Sequence, residues 1–401
     1  MKVVILQADG MPDHPIAKLG NKTPLEVAKT PNMDYLAKRS ILGMVKTIPD
    51  GLPPGSDVGN LSVLGYDPRI YYTGRSPLEA ASIGVELGEH DVTFRCNLVT
   101  LKNLNGKFFM EDYSAGHITT EEARQIILDI KKELEDDDIR FFPGVSYRHL
   151  MVWYNGTDNV KTTPPHDISG KEISEYLPKG EGAKRLVSIM NKSKELLLNH
   201  PVNLKRIKEG KNPATSIWLW GQGKAPNMPK FRELYGIEGA VISAVDLVKG
   251  IGIYAGLRVI NVPGATGYID TNYEGKVNYA IDALEEVDLV MIHIEATDET
   301  GHEGKVELKI KAIEDFDARV VGPVLDKLKR FANYRVLLLS DHPTPVEIRT
   351  HVNEPVPFAI FNSKDPYIKD PRCVFSERSA SGTGIFIKEG WQLIGKIIRE
   401  S

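Results

Sequence analysis

The chain has 401 residues, a length typical of two or three domains that bury a large core without disulfides. Its net charge of −4 excludes the basic excess that favours nucleic acids or anionic membrane surfaces. Two cysteines, Cys96 and Cys373, are too few for a disulfide framework and indicate a reducing compartment. The first apolar run is too short for a signal peptide, and no uninterrupted apolar stretch reaches about 18 residues. We therefore expect a soluble, cytoplasmic chain without a transmembrane helix.

The chain opens with an apolar run at residues 3–8 that ends at Asp9-Gly10. A short run of this kind predicts a buried strand of a parallel sheet. Apolar residues at helical spacing then predict a helix at residues 32–39. Asp9 is therefore expected at the C-terminal end of the first strand.

A Gly/Pro-rich approach at residues 49–54 leads to Gly55-Ser56-Asp57-Val58-Gly59-Asn60, where an apolar helical pattern begins. Ser56 has two interpretations at this point. It can cap the helix by accepting a hydrogen bond from a free N–H group. Alternatively, the N–H groups and the positive end of the helix dipole can bind phosphate, with the Ser56 hydroxyl as nucleophile. Arg69 and Arg75 follow the helix and fit either phosphate contacts or solvated surface charges.

The pattern changes between residues 81 and 211. Charged helical runs at 120–136 and 182–199 alternate with irregular polar stretches, which predicts an inserted domain. Arg148 precedes the apolar run 150–154 and is therefore expected at a strand edge, where its guanidinium can hold a carboxylate or phosphate. Four further polar residues stand out: Arg95, His117, His166 and Asp167. Each of these residues has an alternative role in a loop hydrogen bond or surface ion pair.

Strand and helix patterns alternate again after residue 212. Apolar runs at 216–223, 240–242, 257–260, 287–294, 336–339, 356–361 and 382–387 predict strands. Helical patterns lie between them, including residues 276–285 and a long amphipathic helix at 305–332. This alternation predicts βαβ units and a parallel sheet. Residues 1–80 and 212–401 are thus expected to form one discontinuous core.

Carboxylates and imidazoles follow several of these strands. Asp298 and His302 come after one apolar run, Asp341-His342 after another, and His351 shortly later. The C-terminal ends of parallel strands are the usual ligand-binding edge of an α/β sheet. Together with Asp9, these residues predict a two-metal site, although any single histidine could be structural. Mixed Asp and His ligands suit Mn²⁺, Zn²⁺ and Mg²⁺ unequally but do not decide among them, and we expect Mn²⁺ first.

The ordered set of Asp9-Gly10, Gly55 to Asn60, Asp298-x-x-x-His302, Asp341-His342 and His351 resembles the alkaline-phosphatase superfamily. Within it, the chain is most similar to the 2,3-bisphosphoglycerate-independent phosphoglycerate mutases, in particular the shorter archaeal-type branch. The resemblance covers essentially the whole chain. It implies an α/β fold with an alkaline-phosphatase-like core, a mostly parallel sheet flanked by helices, and an inserted α+β lid domain. The implied reaction interconverts 3-phosphoglycerate and 2-phosphoglycerate in glycolysis and gluconeogenesis, independently of 2,3-bisphosphoglycerate.

The resemblance also implies roles for individual residues. Ser56 corresponds to the serine that becomes phosphorylated. One divalent metal ion is implied at Asp9, Ser56, Asp341 and His342. The other metal ion is implied at Asp298, His302 and His351.

The insert is expected to bind the glycerate, exclude water and transfer protons. We predict acid–base roles for His117 and Asp167, and substrate contacts for Arg148, His166, Arg95, Asn60 and Lys249. Lys249 has the alternative of an ordinary surface lysine. The longer branch has histidine where Asn60 stands, and the arginines of its insert have no one-to-one match in this chain.

Three alternatives use the same residues. A metal-dependent phosphatase or phosphodiesterase would share the core. A phosphonate-processing or phosphopentose-isomerising relative would differ in the insert. A metal-binding scaffold without catalysis would carry the ligands but would never become phosphorylated. The sequence leaves the oligomeric state open.

Overall fold

A computed structural model describes residues 1–399 of the chain, which divide into two units. The first unit combines residues 1–72 with the chain from residue 227 onward. The second unit is Thr73–Pro226. The predicted insert, residues 81–211, lies within this second unit.

The strands, in chain order, are β1 (Lys2–Ala8), β2 (Ile41–Val45), β3 (Val92–Leu104), β4 (Lys107–Asp112), β5 (Ile139–Phe142), β6 (Arg148–Trp153), β7 (Val160–Lys161), β8 (Lys179–Gly180), β9 (Ser216–Lys224), β10 (Gly239–Ile242), β11 (Arg258–Val259), β12 (Leu289–Ile294), β13 (Tyr334–Leu339), β14 (Val356–Asn362) and β15 (Phe386–Ile387).

The helices are α1 (Pro24–Val27), α2 (Pro31–Arg39), α3 (Ser56–Val63), α4 (Pro68–Tyr71), α5 (Ser76–Ser82), α6 (Thr120–Leu134), α7 (Ala183–Leu197), α8 (Pro201–Lys208), α9 (Phe231–Tyr235), α10 (Asp246–Tyr254), α11 (Tyr273–Ala283), α12 (Ala296–His302), α13 (Val306–Phe316), α14 (Gly322–Leu328), α15 (Glu377–Gly382) and α16 (Leu393–Arg399). Within residues 1–399, no helix combines the length and the apolar character needed to cross a membrane.

The described part of the first unit contains an eight-stranded sheet in the order β11-β10-β12-β1-β13-β14-β2-β15. Strand β1 lies between β12 and β13 and is parallel to both, with Val4 opposite Val290 and Val336. Strand β14 is antiparallel to its two neighbours, and the other pairings are parallel. The sheet is therefore mostly parallel, as predicted. Its central strands are almost fully buried because their side chains are apolar on both faces.

The long helix predicted at 305–332 consists of α13, a π-helical turn at Asp317–Val321, and α14. Pro323, in the first turn of α14, has no backbone N–H to donate to the preceding turn, so the regular hydrogen-bond ladder cannot continue there. The Asp317 carboxylate accepts the backbone N–H of Met33 at 2.7 Å. This contact fixes α2 against the irregular turn.

The second unit is built on antiparallel strands. Within residues 73–226, β3 pairs with β4, β6 and β9, and β6 pairs with β5. Helices α6 and α7 cover one face, where buried residues such as Ile126 and Leu186 pack with Phe94 and Trp218. Helix α6 begins with a reciprocal pair of hydrogen bonds between Thr119 and Glu122.

Strand β9 differs from the sequence expectation. The pattern assigns residues 216–223 to the core, but β9 pairs with β3 from Ser216 opposite Val99 to Lys224 opposite Val92. An apolar run predicts a strand without naming its partner, because strand pairing is decided by contacts between distant residues. Strand β9 therefore belongs to the second unit.

Candidate active site

The loops and helices after the three central strands bring the predicted acidic ligands together. Asp9 follows β1, Asp341 follows β13, and Asp298 lies in α12 directly after β12. All three carboxylates are buried. Because β1 is parallel to both neighbours, the C-terminal ends of these strands meet at one edge of the sheet.

Gly55 is the N-cap of α3, so Ser56 is the first residue of the helix and not its cap. The Oγ atom instead lies 3.1 Å from Nε2 of His342, 3.3 Å from Oδ2 of Asp9 and 3.5 Å from Oδ1 of Asp9. The helix-capping interpretation of Ser56 is therefore wrong. The hydroxyl lies at the positive end of α3 and among the predicted metal ligands.

Helix α3 packs closely against the loop after β13. A Cβ atom on Gly59 would lie 2.7 Å from the backbone oxygen of Asp341, so this approach requires glycine. One turn after Ser56, the Asn60 amide donates to the Ser56 oxygen at 2.9 Å and to Asp341 Oδ2 at 3.0 Å. These contacts hold Ser56 next to Asp341 and His342.

A second group forms around Asp298. His302 lies one helical turn after it on α12, and its Nε2 atom is 3.2 Å from Asp298 Oδ2. Nε2 of His351 is 3.5 Å from Asp298 Oδ1 and 2.9 Å from Nε2 of His302. The ring centres of His342 and His351 are 4.2 Å apart. His342, which contacts Ser56, thus lies next to the group around Asp298.

The ionisation of these residues reflects their burial and mutual charge. Burial, together with the negative charges of Asp341 and Asp298, raises the pKa of Asp9 well above its usual value. Burial opposes ionisation of Asp298 as well, but hydrogen bonds with His302 and His351 lower its pKa. Burial likewise opposes protonation of His302, yet its contact with Asp298 raises its pKa to about 9. The site therefore attracts positive charge.

In the second unit, Arg95 is buried and pairs with Glu79, with Nε 3.0 Å from Oε2. Its guanidinium lies 4.4 Å from the ring centre of Trp220. Arg75 reaches the other oxygen of Glu79 at 3.4 Å. Burial lowers the pKa of Arg95, and the positive charges of Arg75 and Arg148 lower it further. Three arginines thus concentrate positive charge on one part of this unit.

Other predicted residues lie along a strip of rings in the same unit. The arginine–aromatic strip, as we name it, consists of Arg95, Trp220, His166, Tyr113, Tyr147, His117 and Arg148. Successive ring centres are 5.4 Å apart for Trp220 and His166, 6.1 Å for His166 and Tyr113, 5.9 Å for Tyr113 and Tyr147, and 6.3 Å for Tyr147 and His117. Arg148 lies over the Tyr147 ring at 5.5 Å. The structure therefore brings these scattered residues together.

The remaining predicted residues have the following contacts. Asp167 is exposed, with Oδ1 3.6 Å from Nε2 of His166, too far for a hydrogen bond. Asn60 is buried and bonds as described above. Lys249 lies on α10, with Nζ 3.8 Å from Asp246. Their substrate and acid–base roles stay predictions.

Residues 37–203 match a family model described as 2,3-bisphosphoglycerate-independent phosphoglycerate mutase. A probable enzyme of that name from Geobacter sulfurreducens is 56% identical over 98% of each chain, and the Methanosarcina barkeri enzyme is 53% identical over 100% of each chain. The chain belongs to the 2,3-bisphosphoglycerate-independent phosphoglycerate mutases. The predicted family and enzyme class are thereby confirmed.

Solved structures agree on the fold of this mutase. A Pyrococcus horikoshii protein matches with a TM-score of 0.83 and 32% identity, covering 99% of this chain and 96% of that one. The cofactor-independent phosphoglycerate mutase from Thermoplasma acidophilum matches with a TM-score of 0.67 and 27% identity, covering 100% and 99%. The predicted α/β fold class is confirmed.

Enzymes of this mutase family depend on metal ions, and the residues present fit such ions. Nδ1 of His302 faces the backbone oxygen of Arg349 at 3.0 Å, so Nδ1 must carry the proton of a neutral ring. Its Nε2 is then an acceptor that faces another acceptor, Asp298 Oδ2. A proton on Nε2, which the raised pKa of His302 favours, or a metal ion in its place satisfies both atoms. Carboxylate oxygens and imidazole nitrogens together suit Mn²⁺ and Zn²⁺.

The sequence analysis of the mutase missed His293 and Glu295. Nε2 of His293 lies 3.1 Å from Asp9 Oδ2, and its Nδ1 lies 3.3 Å from Glu295 Oε1. Lys276 reaches Glu295 Oε2 at 3.3 Å, and all these side chains are buried. His293, Asp9 and Asp341 could also hold an ion together. The available signal was His-x-Glu at the end of an apolar run, since alternate residues of a strand share one face.

Proposed function

We propose that this mutase interconverts 3-phosphoglycerate and 2-phosphoglycerate through a phosphoserine at Ser56, without 2,3-bisphosphoglycerate. One observation carries the proposal. The Ser56 hydroxyl stands at the N-terminus of α3 and within 3.5 Å of both Asp9 and His342. The N–H groups of that helix end can bind the phosphoryl oxygens. The helix thus supports both the nucleophile and the group that it attacks.

Two divalent ions, most simply Mn²⁺, are part of the proposal. Asp9, Ser56, Asp341 and His342 would hold one ion, and Asp298, His302 and His351 the other. When bound, the ions would lower the pKa of the Ser56 hydroxyl and neutralise phosphoryl charge. The carboxylates supply the compensating negative charge, and Asn60 keeps Asp341 aligned through its amide.

The reaction consists of two phosphoryl transfers. Ser56 Oγ loses its proton and attacks the phosphorus of 3-phosphoglycerate, the bond from phosphorus to O3 breaks, and O3 takes up a proton. The glycerate then presents O2, which loses its proton and attacks the phosphoserine, so that Ser56 Oγ leaves and regains its proton. We propose that Asp167 and His117 give and take these protons.

The glycerate carboxylate is proposed to bind in the second unit, which takes the role of the lid. Arg95, Arg75 and Arg148 supply positive charge there, and a guanidinium can hold a carboxylate through two parallel hydrogen bonds. His166 lies beside them, and burial together with Arg95 and Arg75 lowers its pKa despite Asp167. A neutral His166 can accept or donate a hydrogen bond to a glycerate hydroxyl. Asn60 and Lys249 remain proposed substrate contacts in the first unit.

The balanced charge and the free cysteines support a cytoplasmic enzyme of glycolysis and gluconeogenesis. The primary test is incubation of purified, Mn²⁺-loaded protein with 3-phosphoglycerate alone, followed by product analysis. We expect 2-phosphoglycerate and no requirement for 2,3-bisphosphoglycerate. Free glycerate and phosphate as the main products would instead indicate a phosphatase.

A double-label experiment tests the phosphoserine route. Unlabelled 3-phosphoglycerate is mixed with molecules labelled in both the phosphate and the carbon, and the product is analysed by mass spectrometry before equilibrium. If the same glycerate stays bound between the two transfers, both labels should remain together in 2-phosphoglycerate. Extensive separation of the labels would show that glycerate escapes from the phosphorylated enzyme.

A further inference from the structure

Two loops that carry proposed metal ligands are joined to each other. The backbone N–H of Thr344, after β13, lies 3.2 Å from the Gly10 oxygen and 3.3 Å from the Pro12 oxygen, both in the loop after β1. The backbone N–H of Val346 donates to Asp13 Oδ2 at 3.1 Å. Thr344, in the loop that presents Asp341, is therefore held against the loop that presents Asp9.

The Thr344 side chain contacts one proposed ligand from each metal group. Its Oγ1 atom donates to Asp298 Oδ1 and lies 3.3 Å from Nδ1 of His342. Because an ionised carboxylate only accepts, the hydroxyl proton points to Asp298, and a lone pair of Oγ1 can accept the Nδ1–H of His342. That hydrogen bond leaves Nε2 of His342 as the free acceptor, on the side of Ser56.

Close packing prevents the Asp298–Thr344 pair from moving toward the loop after β1. A Cβ atom on Gly10 would lie 2.4 Å from Asp298 Oδ1 and 2.5 Å from Thr344 Oγ1. Gly10 also has φ of +60°, which other residues rarely adopt. The backbone of Gly10 is thus in direct contact with both side chains.

Lys309 anchors this arrangement from α13. Its fully buried ammonium donates to the Thr344 oxygen at 2.7 Å, to Asp13 Oδ2 at 2.9 Å and to the Pro12 oxygen at 3.3 Å. These contacts use all three of its N–H donors. A buried ion pair often adds little to the free energy of unfolding, because apolar side chains in its place can be neutral or stabilising. The pair of Lys309 and Asp13 is therefore weak evidence of a stabilising role. Lys309 instead joins the loop after β1, through Pro12 and Asp13, to Thr344 in the loop after β13.

We propose that Thr344 is a positioning residue for both metal groups, and that Lys309 with Asp13 holds Thr344 in place. This inference rests on the proposed function, because it assumes that Asp298 and His342 are metal ligands. Thr344 acts through these two residues.

The test of Thr344 compares Thr344→Val with Thr344→Ser. Valine keeps the shape but removes the hydroxyl, whereas serine keeps the hydroxyl. Calorimetric titration of metal-free protein with Mn²⁺ should show about 10- to 100-fold weaker binding for Thr344→Val, the usual effect of losing such a supporting contact. Thr344→Ser should stay within about threefold of the unchanged protein. Equal Mn²⁺ affinity in the valine variant and the unchanged protein would overturn the role of Thr344.

The test of Lys309 removes both charges at once, in Lys309→Met combined with Asp13→Asn, so that no buried charge is left unpaired. We expect about tenfold weaker Mn²⁺ binding. Asp317→Asn is the matched control, because it weakens a buried contact of the same unit with α2, outside the site. The control should lower the Tm without changing Mn²⁺ affinity. A lower Tm with unchanged affinity in the double variant would overturn the role of Lys309.

The same titrations separate this inference from the proposed function. If the unchanged protein binds two Mn²⁺ ions and Asp298→Asn weakens one of them, the proposed metal groups stand. An unaffected Thr344→Val then overturns only the positioning role. If the unchanged protein binds no Mn²⁺, the proposed function fails first and the positioning role with it.

Discussion

The proposed site of the first unit and the arginine–aromatic strip of the second unit differ in chemistry and in construction. In the first unit, buried carboxylates and imidazoles follow neighbouring parallel strands. In the second unit, arginines and rings from separate strands and loops form a positive surface, part of it exposed. The first set suits metal ions and phosphoryl transfer, and the second suits a carboxylate. The comparison teaches that a parallel sheet gathers buried ligands at one strand edge, whereas an antiparallel sheet with its loops gathers cations and rings into a strip.

The largest effect should follow the loss of the nucleophile. Ser56→Ala should lower kcat by about 10⁴-fold or more, because the phosphoserine can no longer form. The Tm should change little, since Gly55, and not Ser56, is the N-cap of α3. Ser62→Ala is the control on the same helix, because its hydroxyl donates to Thr47 O. Turnover and mass spectrometry of the phosphorylated protein provide the measurement, and a fully active Ser56→Ala variant would contradict the phosphoserine route.

The second-largest effect should follow removal of the metal ions, whose proposed ligands all lie in the first unit. Chelation should abolish activity, and added Mn²⁺ should restore it at neutral pH. His302→Ala should weaken Mn²⁺ binding about 10- to 100-fold, as expected for a lost ligand or supporting contact. His200→Ala is a control, because His200 is buried against Asp129 in the second unit. Activity in rigorously metal-free protein would contradict the two-metal proposal.

Loss of an arginine in the arginine–aromatic strip should lower mutase activity more than hydrolysis of a simple phosphate ester. Arg148→Ala and Arg95→Ala should each lower mutase kcat/KM about 10- to 100-fold, the value of one or two hydrogen bonds to a charged group. Hydrolysis of a phosphate ester without a carboxylate should change less than about threefold, because it needs only Ser56 and the metal groups. Arg185→Ala removes an arginine of the same unit that pairs with Asp136, and should affect neither activity. Equal losses in both assays would place Arg148 or Arg95 outside carboxylate binding.

The smallest effect concerns pH and the second unit. Burial lowers the pKa of His149 to about 3, whereas the unfolded chain has the usual value near 6.5. Between these two pH values, His149 binds a proton in the unfolded chain but stays neutral in the folded protein. The free energy of unfolding therefore decreases as the pH falls from about 6.5 toward 3. His149→Gln cannot titrate and should show a shallower decline. Free energies of unfolding from urea titrations at several pH values test this, and parallel curves for the two proteins would contradict it.

Prediction from sequence succeeded best where chemistry followed strand order. Asp9, Asp341 and Asp298 each come after an apolar run, and parallel strands put such positions on one edge. His293 and Glu295 were missed because both lie in or just after a buried apolar strand, where a polar residue is ordinarily structural. Their importance appears only from the 3.1 Å contact between His293 and Asp9.

Prediction was weaker in the second unit. Arg95 and Trp220 are far apart in sequence, and their contact depends on the pairing of β3 with β9. The predicted domain bounds also ended before β9. Antiparallel partners that are not joined by a short turn leave no local signal, because their pairing is set by long-range packing.

The sequence by itself determined the alternation of strands and helices, the order of Asp and His residues at strand ends, and the serine at a helix start. These features depend on local periodicity and on residues close in the chain. Tertiary structure alone decided that Ser56 does not cap its helix, that His293 supports Asp9, and that Thr344 contacts both Asp298 and His342. Such contacts join residues from separate elements, and their distances follow from packing of the whole sheet and its loops.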